Sequence, residues 1–259
     1  MRLHYHARHY LLFDSLGAAP SHVARRPLEL PAGDAIWLGG QEKMTDNREG
    51  AASPIDTSVG PSLRLQSEAE RLRDAVREAI RTSPGSFLKT EKDVDTKEGH
   101  YWIDEIQSST WVVAEREGVV VGVAAGKLPD PDNDPENHTD SRYIESVWIA
   151  PDLRGHRLGE RLITYLMAAE LRENPNIKQF LLWVFETNSS AINLYKHMAF
   201  VQTDESHEDS YFMTENKYRL EVKPEVWSAI RRTVGETVLL KDKLNYGVTY
   251  RVMGNGDSS

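Results

Sequence analysis

The 259-residue chain contains no cysteine. That excludes a disulfide framework, a thiolate metal site and a cysteine nucleophile, and it suits a reducing compartment. Long apolar runs are missing as well: none reaches the roughly 18 residues of a membrane-spanning helix. At the N-terminus, His4, His6, Arg8 and His9 precede only the short Tyr10-Leu11-Leu12-Phe13 run, which is no signal segment. Positive charge is the scarcer sign, with 31 Lys and Arg against 40 Asp and Glu and a net charge of −9. Broad nucleic-acid binding needs a basic face, so neither nucleic acid nor membrane is expected as a partner. A cytoplasmic location is expected. The acidic balance is compatible with a cationic small substrate. No GxxxxGK[ST] or GxGxxG run is present, which argues against a nucleotide-binding Gly turn, and there are no internal repeats.

What is present divides the chain into three parts. Residues 1–60 are rich in Ala, Gly, Pro, His and Arg without periodicity, and are expected to be a poorly ordered extension. Asp46 to Pro61 has linker composition. Gln41-Glu42-Lys43 could be encoded by a purine-rich ribosome-binding sequence, which makes Met44 an alternative start. His4, His6 and His9 lack a carboxylate or structural frame, so no metal site is expected. Asp130, Asp132 and Asp134 imitate a calcium loop, but Pro135 stands where that loop needs glycine and Ser141 where it needs a bidentate glutamate.

From residue 61 the periodicity alternates between strand and helix. Leu63 to Leu65 is a possible short strand. Ser67 and Glu70 have capping-box spacing, with Ala69, Leu72, Val76 and Ile80 on one helical face. Thr110 to Lys127 reads as a β-hairpin turning at Arg116-Glu117-Gly118. Gln179 to Phe185 reads as a buried strand, Asn188 to Met198 as a short helix and Phe200 as a strand start. Thr203 to Asp209 reads as a polar turn, after which Tyr211 to Met213 could pair back. Val226, Trp227, Ile230 and Val234 suggest a helix after Pro224, followed by strands at Thr237 to Leu240 and Val248 to Met253, with a frayed end from Gly254. The implied fold is mixed α/β with helices on both faces of a central twisted sheet.

The most informative stretch is Tyr143 to Glu173, a strand, a sharp turn and an amphipathic helix. Leu158, Leu162, Ile163, Leu166 and Met167 form the helix's apolar face. A helix N-terminus presents unpaired N–H groups and partial positive charge, so it can hold a phosphate anion. Gly155 lets the backbone approach that anion and Arg154 adds charge.

Two segments together carry a family resemblance. ESVWIAPDLRGHRLGERL resembles the coenzyme A pyrophosphate loop of the GNAT N-acetyltransferase superfamily, and NSSAINLYKHMAF resembles that family's second acetyl-CoA segment. The resemblance spans roughly Pro61 to Tyr211. It implies a GNAT domain over residues 61–215 and a C-terminal extension over 216–259 that could complete the sheet. It departs from the family pattern twice: Arg157 stands where the middle glycine of the loop is usual, and Ala199 where glycine usually precedes the phenylalanine.

The resemblance implies a direct, metal-free acetyl transfer from acetyl-CoA to the amine of a small molecule or peptide, by a monomer or homodimer. The backbone of the strand through Val147, Trp148 and Ile149 would hold the pantetheine arm, and a backbone N–H of Val147 or Ile149 the oxyanion. Arg154, Gly155, His156, Arg157, Leu158 and Gly159 would cradle the pyrophosphate. Tyr195 would protonate the thiolate, Asn188 would orient the pantetheine or cap its helix, and Glu145 would be the general base. Alternation along the strand would put Glu145 on the same face as Val147 and Ile149. His138, His156, Glu186 and Glu105 are weaker base candidates, and Trp102, Trp111 and Trp148 could line a pocket or the core. Each role has a plainer alternative: Tyr195 as a packing aromatic, Asn188 as an N-cap, Glu145 as a paired strand carboxylate. A different acyl donor and a catalytically silent acyl-CoA-binding domain stay open.

Overall fold

The computed structural model describes residues 61–132, 134–137, 139–208, 213–239 and 247–253. The extension with its three histidines, His138, Tyr211, Leu240 and the segment from Gly254 lie outside the described residues.

The elements run α1 (Pro61–Thr82), α2 (Glu91–Asp95), α3 (Gly99–Ser108), β1 (Thr110–Arg116), β2 (Val119–Lys127), β3 (Ser141–Ile149), α4 (Leu158–Glu173), β4 (Gln179–Phe185), α5 (Ser189–His197), β5 (Val201–Glu208), β6 (Thr214–Glu221), α6 (Pro224–Leu239) and β7 (Val248–Val252). The strands make one seven-stranded mixed sheet in the order β5-β6-β4-β3-β2-β1-β7. Only β3 and β4 are parallel neighbours, as a strand–helix–strand crossover through α4 requires.

Strand alternation sorts the core into two layers. Val112, Ala114, Ala124, Ile144, Phe180, Leu182 and Val184 point to the side packed by α4, α5 and α6. Trp111, Val113, Val123, Ala125 and Trp148 point to the opposite side, packed by α1 and α3. Trp102, Trp111 and Trp148 are therefore core residues of the second layer. On the first side, buried Glu170 of α4 is held by Arg142 of β3 at 2.8 Å. A Cβ at Gly126 would collide with that carboxylate, so glycine is needed there for the close approach.

Four expectations are corrected. Leu63 to Leu65 is helical and Ser67 lies inside α1 rather than capping it. The Leu-x-Leu spacing suits a strand only when cut from the longer helical run Leu65, Ala69, Leu72, Val76. Thr203 to Glu208 is strand β5, paired antiparallel with β6. β6 has no clean apolar alternation in the sequence because its buried row includes a charged residue, Lys217, which is fully buried. Thr237 to Leu239 is the last part of α6, although threonine, valine and leucine there suit a strand locally.

Candidate active site

Strands β3 and β4 pair only at Ser141–Gln179, Arg142–Phe180 and Tyr143–Leu181. Beyond Tyr143 they separate, which leaves the β4-facing edge of β3 from Ile144 onward without a strand partner. At the end of this gap β3 runs through a 3₁₀ turn (Pro151–Leu153) into the loop before α4.

Glu145 opposes Ala125 and Trp148 opposes Val123, so Ser146 and Val147 together face the single residue Ala124. This is a β-bulge, with Ser146 in the left-handed region at φ 54°. The extra residue inverts the alternation. Val147 and Ile149 pack on the α4 side, whereas Glu145 sits with Trp148 on the α1/α3 side. The expectation that Glu145 shares a face with Val147 and Ile149 is thus overturned. In the row through Glu145, two residues past the Tyr143–Leu181 pair, Trp183 occupies the same face across the gap. The Trp183 ring carries the Lys217 ammonium at 5.5 Å, and that ammonium is paired with Glu136 and Glu205.

Around Glu145 the charges are tightly linked. Its carboxylate lies 3.9 Å from the Lys127 ammonium, which donates to Glu105 at 3.0 Å. The Tyr101 hydroxyl donates to the other Glu105 oxygen at 3.1 Å. Both Glu105 oxygens are thus engaged. The two carboxylates raise the Lys127 pKa against the opposing effect of burial, which is the largest single influence, so this lysine stays charged. Burial, followed by repulsion from Lys127, pushes Lys89 below the ordinary lysine range.

The loop before α4 shows why its residue types matter. Gly155 is at φ 79° with open space where a Cβ would stand. Arg154 donates to the Ile149 carbonyl at 3.0 Å and to Ser83 Oγ at 2.7 Å, so it fastens the loop to the strand end and to the end of α1. His156 is exposed. Arg157 is the N-cap of α4 and adopts φ 59°, and its side chain makes no capping bond. Instead its guanidinium forms a two-pronged pair with Glu160 at 2.8 Å on each prong. The first-turn N–H groups of α4, which a helix cannot satisfy internally, receive no bond from this cap side chain. Leu158 is buried in the first core, and Gly159 lets α4 approach α5, since a Cβ there would meet Leu194 at 3.2 Å. Trp148 donates to Thr82 at 3.0 Å on the α1 side, so it turns its ring away from the gap and offers only backbone there.

On the α4 side stands Tyr195. Its ring is buried and makes a tilted contact with Phe200 at 5.9 Å between centroids. The end of α5 explains this spacing. Phe200 N–H donates to the Tyr195 carbonyl and Ala199 N–H to the Lys196 carbonyl. These are the two bonds of a Schellman cap, and Tyr195 and Phe200 are the residues that such a cap brings into apolar contact. Burial pushes the Tyr195 phenol well above its usual range. Asn188 accepts from Ala191 N–H as the N-cap of α5 and donates to Ser86 Oγ at 3.1 Å.

Ala199, the second departure from the family pattern, has φ 65°. Both glycine positions are therefore left-handed here, at roughly 1–2 kcal/mol each for a residue with a side chain. Ala199→Gly is expected to raise stability by about 1 kcal/mol, or a melting temperature by about 2–4 °C, in a thermal scan. Arg157→Gly is expected to leave acetyl-CoA affinity unchanged or tighter by calorimetry, because its backbone conformation is one glycine adopts freely. A marked loss would mean the guanidinium itself holds the cofactor.

Residues 73–200 match the model of the acetyltransferase (GNAT) family. That stretch is a GNAT acetyltransferase domain. Among curated proteins, the mouse thialysine N-epsilon-acetyltransferase is 34% identical over 64 residues, 25% of this chain and 36% of that protein. The chain thus spans about a third of that relative's length. Among solved structures, the ribosomal-protein-alanine N-acetyltransferase of Brucella melitensis aligns with a TM-score of 0.48 at 20% identity, covering 61% of this chain and 96% of that one. The Salmonella typhimurium protein yncA, solved with its cofactor acetyl-CoA, aligns at 0.49 and 15% identity, covering 61% of this chain and 90% of that one.

The sequence singles out the loop, Tyr195, Asn188 and Glu145 as candidates. It does not single out the partners Ser83, Tyr101 and Lys127. The only trace of Lys127 in the sequence is a charged residue closing the apolar strand VVVGVAAGK. Among the described residues no cluster of three or more histidine or acidic side chains could hold a metal ion, and no helix is long and apolar enough to cross a membrane.

Proposed function

We propose that the chain is an acetyl-CoA-dependent N-acetyltransferase acting on a primary amine carried on an alkyl chain. The observation that carries this reading is the gap beyond Tyr143, with Glu145 on one face of the sheet and Tyr195 on the other. The residues present fit the donor. The unpaired β3 edge from Ile144 to Ile149 offers backbone groups to the amides of a pantetheine arm. The open space at Gly155 and the N–H groups at the start of α4 suit a pyrophosphate. When bound, acetyl-CoA supplies an activated thioester carbonyl.

The chain's own residues then divide the proton work. Glu145 takes a proton from the acceptor ammonium, directly or through water, so that the nitrogen lone pair can attack. On the thioester the C–N bond would form and the C–S bond would break. Tyr195 donates a proton or hydrogen bond to the departing sulfur. The second proton that the nitrogen loses in becoming an amide passes to water, or back to Tyr195 where the phenol has given up its own. Burial holds the Tyr195 phenol above its ordinary range, so it stays protonated near neutral pH. As the shift also makes it a weaker acid, it suits a hydrogen bond to the sulfur better than full proton transfer. With both its oxygens engaged, Glu105 is the poorer base. An alkylammonium acceptor is favoured by the Glu145 carboxylate beside the gap. The thialysine activity in the name of the mouse relative points the same way.

The test is coenzyme A release from purified protein supplied with acetyl-CoA and a pooled set of amines including thialysine. Stoichiometric release with an acetylated amine supports the enzyme. Acetyl-CoA binding without release from any amine would instead support a silent binding domain.

A further inference from the structure

Lys127 closes strand β2, paired with Tyr143, while Glu145 is paired with Ala125 two residues back. Lys127 and Glu145 are therefore diagonal neighbours on one face of the sheet, within reach across adjacent strands. The ammonium lies 3.0 Å from Glu105 and 3.9 Å from Glu145. Glu105 in turn is only 6% exposed and receives a second bond from Tyr101 on the same helix. The groups facing Glu145 are Lys127 from β2, Tyr101 and Glu105 from α3, and Lys89 from the segment between α1 and α2. From β4 the row supplies Trp183, which does not titrate.

In this chain of contacts Glu105 is the more firmly held carboxylate, with both oxygens engaged. Glu105 is anchored by two donors on a packed helix. Glu145 sits one residue before the bulge, where β3 has lost its β4 partner. We infer that Lys127 is a positioning residue for acetyl transfer: anchored by Glu105, it holds the Glu145 carboxylate on the acceptor side of the gap. This rests on the reading of Glu145 as the base. A lysine ammonium suits the task because it is a compact charge with several donors, able to serve two carboxylates at once. It also accounts for a charged residue ending an otherwise apolar strand beneath α3, where a solvated lysine would serve no packing purpose.

The experiment compares Lys127→Met, Lys127→Arg and Glu145→Gln in the full chain with two acceptors. Thialysine is an ammonium that must lose a proton before attack. Trifluoroethylamine is already neutral at the assay pH. Lys127→Met is expected to lower kcat about tenfold with thialysine. It should leave the KM for acetyl-CoA and the rate with trifluoroethylamine within about twofold, and Lys127→Arg should recover most of the loss. An unchanged kcat in Lys127→Met overturns the inference. An equal fall with both amines also overturns it, because the defect would then be structural. If Glu145→Gln loses activity and Lys127→Met does not, the base survives and only the positioning role fails. If Glu145→Gln keeps full activity with thialysine, the reading of Glu145 fails, and the role of Lys127 with it. Absence of coenzyme A release from any amine by the wild-type chain overturns both.

Discussion

Glu145→Gln is expected to lower kcat with an alkylamine acceptor by about a hundredfold or more, the usual contribution of a general base. Acetyl-CoA affinity should stay within about twofold of wild type. The two readouts separate because the Glu145 side chain projects on the α1/α3 side, opposite Val147 and Ile149, while the backbone groups proposed to hold the donor lie along the strand edge. Had the strand alternated without interruption, Glu145 would share a face with Val147 and Ile149, and its substitution would disturb both. The bulge at Ser146 removes that coupling. Steady-state kinetics at saturating acetyl-CoA, with calorimetry for the donor, measures both quantities. Glutamine keeps the volume, and Lys127 keeps its bond to Glu105 at 3.0 Å, so a large loss of thermal stability is not expected. A parallel fall in kcat and donor affinity would place Glu145 in the fold of the gap rather than in the chemistry.

Tyr195→Phe is the second large effect. The ring should keep its contact with Phe200 and the Schellman cap that fixes it, so the loss is confined to the hydroxyl. Expected is a fall in kcat of about tenfold, smaller than that for Glu145→Gln. The reason is the leaving group. A thiol has a pKa of about 8.5 against about 10.4 for a lysine amine, so a departing thiolate needs a proton less than an attacking ammonium needs to lose one. A pH profile adds a sign. Burial holds the phenol well above its ordinary range, so Tyr195 should produce no alkaline limb up to about pH 10. An alkaline limb below that, abolished by Tyr195→Phe, would mean the hydroxyl is far more hydrated than its packing indicates.

The parts of the site that could be read in advance are those whose chemistry follows from local spacing. The Gly155 turn, the apolar face of α4 and the Leu-Tyr to Ala-Phe spacing at the end of α5 each rest on contacts within a few residues. The Schellman cap gives that last spacing a physical cause, since one geometry fixes both the positive φ at Ala199 and the contact of Tyr195 with Phe200. What could not be read depends on register between distant strands. Ser146 has a side chain and no neighbouring glycine, so nothing local announces that β3 gains a residue there. Lys217 conceals β6 in the same way. A buried lysine looks like a surface residue until Glu136 and Glu205 are brought to it from a loop and a neighbouring strand. Arg154 looks like a phosphate ligand in the sequence; that its guanidinium also ties Ile149 to Ser83, and so holds the loop at the strand end, depends on residues far apart in the chain.

A crystal structure with coenzyme A tests the whole arrangement most directly. The account predicts the pyrophosphate on the N–H groups from Gly155 to Gly159 and the pantetheine along β3 from Val147 to Ile149. The sulfur should lie within hydrogen-bond reach of the Tyr195 hydroxyl, with Glu145 on the far side of the gap facing the acceptor. Coenzyme A bound away from the gap between β3 and β4, or a sulfur remote from Tyr195 with Glu145 still paired to Lys127 and closed off from it, would contradict the account.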